Sequence, residues 1–240
     1  MNITRRGGLR LMATAALAGL ADIPFVAPPL AQATTTTTKQ APSAGQKGTR
    51  LILLGTAGGP TPLPKRNQPA SVLVVNGEPY VVDAGNGVAR QLMLAGIGPQ
   101  KVGKIFITHH HDDHNADLGT LMGLAWSTGR YVPTDAYGPP GTEAMVKAYL
   151  DYFEPNAKIR MALSGNTKSP RDLFRGHDIA ASGPVYEDDN IKVSCVENTH
   201  YPHHGHIGAE HHVSYTYRFD AAVRSIVFSG DTSLSDEIAE

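Results

Sequence analysis

The stretch THHHDDHNAD, Thr108 to Asp117, sets four histidines and three aspartates into ten positions. Neutral imidazole and carboxylate are the ordinary ligands of borderline divalent metals, so the residue types point to half of a metal site. Spacing sorts the cluster. It leaves an apolar run, KIFIT, that reads as a strand buried on both faces. On extended chain His109 and His111 lie two apart and point the same way. Asp113 and His114 are adjacent, near the start of the next predicted helix, and turn toward a second point nearby. That arrangement suits two ions side by side, one on His109 and His111, the other on Asp113 and His114. His110 and Asp112 point away, either as partners of the ligands or into solvent. A merely solvated loop is the bland alternative, and four imidazoles beside two carboxylates at a strand end weigh against it.

A second histidine-rich stretch, THYPHHGHIGAEHH over residues 199 to 212, holds His200, His203, His204, His206, His211 and His212. It follows IKVSCVEN, whose alternation reads as a strand. Further on, SIVFSGDTS ends another buried strand at Asp231. Cys195 is the single cysteine, so no internal disulfide can form. It reads as a packed core residue, with metal ligation the less favoured alternative. There is no G-x-S-x-G elbow, and metal chemistry of this kind needs no Ser or Cys nucleophile.

These residues must be held by a scaffold of alternating strands and helices. RLILLG reads as a strand feeding the Gly/Pro loop GTAGGPTPLP. SVLVV, NGE and PYVVDAGNG read as a hairpin turning at Asn76-Gly77, with Asp83 at its far end. Val88, Leu92 and Ala95 space as a short helix ending before Gly96. Leu118, Leu121, Met122 and Ala125 form the core stripe of another. Residues 142 to 153 read as a further helix, and 155 to 187 as a long irregular stretch. Strands are predicted near 191 to 197, 213 to 219 and 225 to 228. The alternation implies a layered α/β protein.

The first 33 residues stand apart from this scaffold. Arg5, Arg6 and Arg10 precede an 11-residue apolar stretch, too short for a bilayer, and AQA at 31 to 33 offers a small-residue cleavage site. TRRGGLR resembles the twin-arginine export signal, which implies a periplasmic or secreted protein without a stable membrane anchor. Residues 34 to 48 hold no large apolar side chain and read as a flexible linker before a domain at 49 to 240. Setting aside three arginines and one aspartate from 21 basic and 22 acidic residues leaves the remainder mildly acidic. With no polybasic run, the composition does not advertise a nucleic-acid surface. Lys158, Arg160, Lys168, Arg171 and Arg175 read either as an anion-attracting loop or as ordinary solvated surface. A homodimer is compatible with the sequence.

HHHDDH fits the H-x-H-x-D-H signature of the metallo-β-lactamase superfamily as His109, His111, Asp113 and His114. LILLGTAGGPTP resembles the opening strand and loop of its ribonuclease Z and arylsulfatase-like branch. VVDAGNG resembles the first motif, in which Asp83 would support the metal loop without binding metal. The resemblance implies an αββα four-layer sandwich. It also implies that His200 completes a three-histidine set with His109 and His111, and that Asp231 bridges two ions, expected to be zinc. A helix-capping role is the competing reading of Asp231. The remaining histidines exceed the pattern, and are either pocket lining or weak metal capture on one side, or exposed loop on the other. The family's last histidine motif lies downstream of Asp231, so the chain reads as truncated at its C-terminus, with poor solubility expected. The implied reaction is hydrolysis of a small phosphodiester or sulfate ester by water held between the ions, with Asp113 orienting it. Nucleic acid is not expected as a partner. An exported metal-binding protein without catalysis is the alternative.

Overall fold

The computed structural model describes residues 47–201, 206–207 and 210–238. The predicted signal segment at 1–33, all but the last two residues of the predicted linker, His203 and His204 lie outside the described residues.

Six strands build the first sheet in sequence order: β1 Thr49–Gly55, β2 Ala70–Val75, β3 Glu78–Val82, β4 Lys104–Phe106, β5 Thr134–Gly138 and β6 Phe174–Asp178. β1 to β3 run antiparallel, and β3 to β6 run parallel. The predicted hairpin between β2 and β3 turns at Asn76 and Gly77, with φ of 52° and 90°. Two successive left-handed residues match the twist of the flanking strands, which is why Asn-Gly sits there. β7 Gly183–Glu187 and β8 Ile191–Glu197 begin a second, antiparallel sheet. A two-stranded ribbon of β9 His206–Ile207 and β10 Glu210–His211 follows. β11 Tyr215–Ala221 and β12 Ser225–Phe228 then complete the second sheet in the order β12-β11-β8-β7.

Alternation along the strands makes two cores. Val72, Val81, Ile105 and Ala136 face the helices, whereas Leu73, Tyr80, Val82 and Phe106 face the second sheet. The helices are α1 Val88–Leu94, α2 Asp112–Asn115, α3 Leu118–Ser127, α4 Thr142–Ser164 and α5 Pro170–Leu173. α3 buries Leu118, Leu121, Met122 and Ala125 as its spacing predicts. Between the sheets the Phe106 ring meets Tyr137, Tyr217 and Phe219 at centroid distances of 5.2, 5.8 and 5.0 Å. β4 is buried on both faces and sits between two parallel neighbours, so the chain leaving it is held rigidly. Cys195 is buried in the inter-sheet core, where burial pushes its thiol up to about 11.

The stretch from 155 to 187 corrects the expectation of an irregular segment. α4 continues through Pro155 to Ser164, and α5, β6 and β7 follow. Val146, Leu150, Phe153 and Ala157 carry one buried stripe across the proline, and tertiary packing outweighs the lost hydrogen bond. β6 reads FRGHD, with no apolar alternation, because it is an edge strand of the sheet. Among the described residues no helix is long and apolar enough to cross a membrane.

Candidate metal centre

Four strand ends deliver the ligand-type residues to one place. Asp83 follows β3, Thr108 to His114 follow β4, His200 follows β8 and Asp231 follows β12. The two sheets are tied together there by Tyr215 N–H, which donates to the Thr108 carbonyl at 2.8 Å.

His109 is fully buried and its orientation is fixed, because Nδ1 lies 3.0 Å from Thr108 Oγ1. Its Nε2 is 3.1 Å from His111 Nδ1, which is 3.1 Å from His200 Nε2. Ligand atoms of all three histidines lie within 4.8 Å of one another. Imidazole nitrogens this close either share protons or turn their lone pairs on a common cation. Protonation is disfavoured at His109: burial, then the neighbouring imidazoles of His114, His200, His111 and His110, push it down to about 2. Burial also lowers His200, against the pull of Asp231.

His114 is oriented from behind. Its Nδ1 lies 2.8 Å from Asp83 Oδ2, which leaves Nε2 to face the cluster. There Nε2 is 3.4 Å from Asp231 Oδ1 and 3.7 Å from Asp113 Oδ2. Burial opposes charge on this ring, but the Asp83 hydrogen bond and the carboxylates of Asp83, Asp231 and Asp113 outweigh it and raise its pKa. His109, His114 and Asp231 form a second group whose ligand atoms lie within 4.8 Å. Asp113 adjoins this group through His114.

The donor set fits divalent metal on an observation independent of any pattern. His114 Nε2 and Asp113 Oδ2 are buried and have no hydrogen-bond partner. An unsatisfied buried polar atom costs about 1–3 kcal/mol. Two side by side, one a lone pair and one a carboxylate oxygen, are what a cation would satisfy.

All six predicted residues, His109, His111, Asp113, His114, His200 and Asp231, therefore converge. His110 does not join them: its Nε2 faces the Pro139 carbonyl at 3.1 Å. Asp112 is exposed. His211 pairs with Glu197 at 3.2 Å, and the His212 ring lies 6.2 Å from that of Tyr201. Lys158 and Arg171 are engaged with Glu154 and Asp151 on an exposed surface, which favours the solvated reading for both. Sequence reasoning passed over Thr108 as a working residue. Its N–H and Oγ1 contact Asp83 Oδ1 at 2.8 and 3.0 Å, so it links the supporting carboxylate to the histidine loop. A hydroxyl residue at the strand end beside the cluster was the available signal. Tyr201, whose ring lies 4.9 Å from that of His200, was also passed over.

The sequence pattern of the Metallo-beta-lactamase superfamily matches residues 64–240. The chain is similar to ribonuclease Z of Mycobacterium avium (strain 104), 32% identical over 186 residues that cover 76% of this chain and 62% of that protein. It is 29% identical over 191 residues to ribonuclease Z of Mycobacterium bovis (strain BCG / Pasteur 1173P2), covering 78% and 64%. The chain thus spans less than two thirds of the length of these relatives. In fold it resembles human tRNase Z, short form, with a TM-score of 0.57 at 24% identity, covering 77% of this chain and 70% of that one. Zn(2+)-bound PqqB from Methylobacterium extorquens is similar at a TM-score of 0.54 and 14% identity, covering 78% and 67%. Two packed sheets, a histidine-aspartate cluster at their shared end and a family match over most of the sequence agree: the chain belongs to the metallo-beta-lactamase superfamily.

Proposed function

We propose that this protein is a metal-dependent phosphodiester hydrolase working with two zinc ions. The observation that carries the reading is the buried pair of atoms without a hydrogen bond, His114 Nε2 and Asp113 Oδ2, beside the three-histidine group. His109, His111 and His200 would hold one ion, Asp113 and His114 would hold the other, and Asp231 would serve between them. Bound divalent ions supply Lewis acidity, making water acidic near neutral pH and offsetting charge on the ester. The chain's own part is positional. Asp83 and Thr108 fix the rings of His114 and His109, and Asp113 orients the attacking water. The buried floor around His109 excludes bulk solvent from one side.

The relatives named ribonuclease Z lean against the expectation that nucleic acid is no partner, so RNA stands with small esters as a substrate class in this proposal. Sulfate esters remain a second class to be tested. The test uses the full zinc-loaded chain with bis(p-nitrophenyl) phosphate, p-nitrophenyl sulfate and an RNA hairpin carrying a 3′ extension. His111→Ala is expected to lower phosphodiester turnover by more than about 100-fold. A variant as fast as the parent removes the hydrolase assignment, and would leave metal binding without catalysis. Export through the twin-arginine-like segment is part of the proposal, and cell fractionation that finds the mature chain only in the cytoplasm would refute it.

A further inference from the structure

Asn198 follows β8, is buried, and stands two residues before His200. Both ends of its side-chain amide are engaged. Oδ1 accepts from His200 N–H at 3.1 Å. Nδ2 donates to the Ser229 carbonyl at 2.9 Å and to Thr216 Oγ1 at 3.3 Å. Thr216 Oγ1 donates to the same Ser229 carbonyl at 2.9 Å. The partners fix which end of the amide is which, since a carbonyl only accepts and a backbone N–H only donates.

Ser229 stands two residues before Asp231. One amide therefore ties the backbone of His200 itself to the residue two before Asp231, on a different strand. The Asp231 loop is confined from the other side as well. Gly230 has φ of 60°, and a Cβ there would stand 2.9 Å from Thr108 Cβ. Only glycine lets this turn lie against Thr108. The two residues leading into Asp231 are thus held between Asn198 and Thr108.

We propose that Asn198 is a positioning residue that sets the separation of His200 and Asp231, and through it the affinity of the protein for its metal ions. The inference rests on reading His200 and Asp231 as ligands. Asn198 acts through them, because each of its side-chain bonds goes to the chain or to Thr216. Partners of this kind, one step behind the ligands, commonly carry a 10–100-fold share of metal affinity, on the order of magnitude known for such shells.

The test measures Zn2+ affinity by chelator competition, and the visible absorption of the Co2+ form, on the full chain and two variants. Asn198→Asp keeps an acceptor for His200 N–H but sets a carboxylate oxygen against the Ser229 carbonyl. Asn198→Ala removes all three side-chain bonds. Each is expected to weaken Zn2+ binding by about 10–100-fold and to shift the Co2+ spectrum. A purely structural role would lower the melting temperature of the metal-free protein and leave both readouts unchanged. Parent-like affinity and spectrum in folded Asn198→Asp would overturn the inference while leaving the metal centre standing. If neither variant folds, Thr216→Val loosens the same grip and is expected to weaken Zn2+ binding, and unchanged affinity there overturns the inference too. A parent chain that binds no Zn2+ sinks the metal-centre reading and this inference with it, and is told apart by that result.

Discussion

Asp83 holds His114 Nδ1 at 2.8 Å from a left-handed backbone position, with φ of 59°. The same carboxylate receives Thr108 N–H at 2.8 Å. One buried anion thus fixes both the loop that leaves β4 and the orientation of an imidazole at the cluster. Aspartate and asparagine both tolerate the left-handed region, so Asp83→Asn keeps the backbone and removes the charge. We expect it to weaken Zn2+ binding by about 10–100-fold. Chelator competition measures this, and parent-like affinity would reduce Asp83 to a structural part.

Three adjacent histidines invite confusion, and the structure separates them. His111 meets both His109 and His200, whereas His110 turns to the Pro139 carbonyl. His110→Ala should therefore keep the parent's metal content and lose about 1 kcal/mol of stability. His111→Ala should lose metal. Equal metal loss in both variants would contradict the assignment.

The candidate cluster after β4 is legible because its signals are local: residue type, a spacing of two on extended chain, and a buried strand ahead of it. What the sequence concealed depends on packing. Thr108 and Asn198 are ordinary polar residues until the fold brings Asp83 and Ser229 to them. The histidines that exceed the pattern looked alike in the sequence. Only the fold sends His211 to Glu197 and sets the His212 ring 6.2 Å from that of Tyr201.

Helix α4 runs past its proline for a physical reason that can be tested. Pro155 signalled a stop, yet the buried stripe through Phe153 and Ala157 continues the helix. Proline there removes one backbone hydrogen bond, so Pro155→Ala should stabilise the fold by about 1–3 kcal/mol. Urea denaturation decides it. A loss of stability would mean that the helix needs its proline.

Away from the cluster, Asp135 accepts hydrogen bonds from Lys104 and His177, each at 2.8 Å. Burial alone would raise its pKa, but these two partners outweigh burial and hold it below the usual carboxylate value of 3.8. A depressed folded pKa gives stability that is present above 3.8 and lost as pH falls through the lower folded value. Asp135→Asn should be less stable at neutral pH and lose less on acidification below about pH 4. Parallel acid-unfolding curves for variant and parent would contradict the linkage.

The central claim is that six side chains from three strand ends form a two-metal centre. Metal content per chain, measured by mass spectrometry after dialysis of the full protein against metal-free buffer, tests it most directly. We predict two divalent ions per chain, and loss of the ion assigned to His109, His111 and His200 when His109 is replaced by alanine. One ion or none in the parent would contradict the claim.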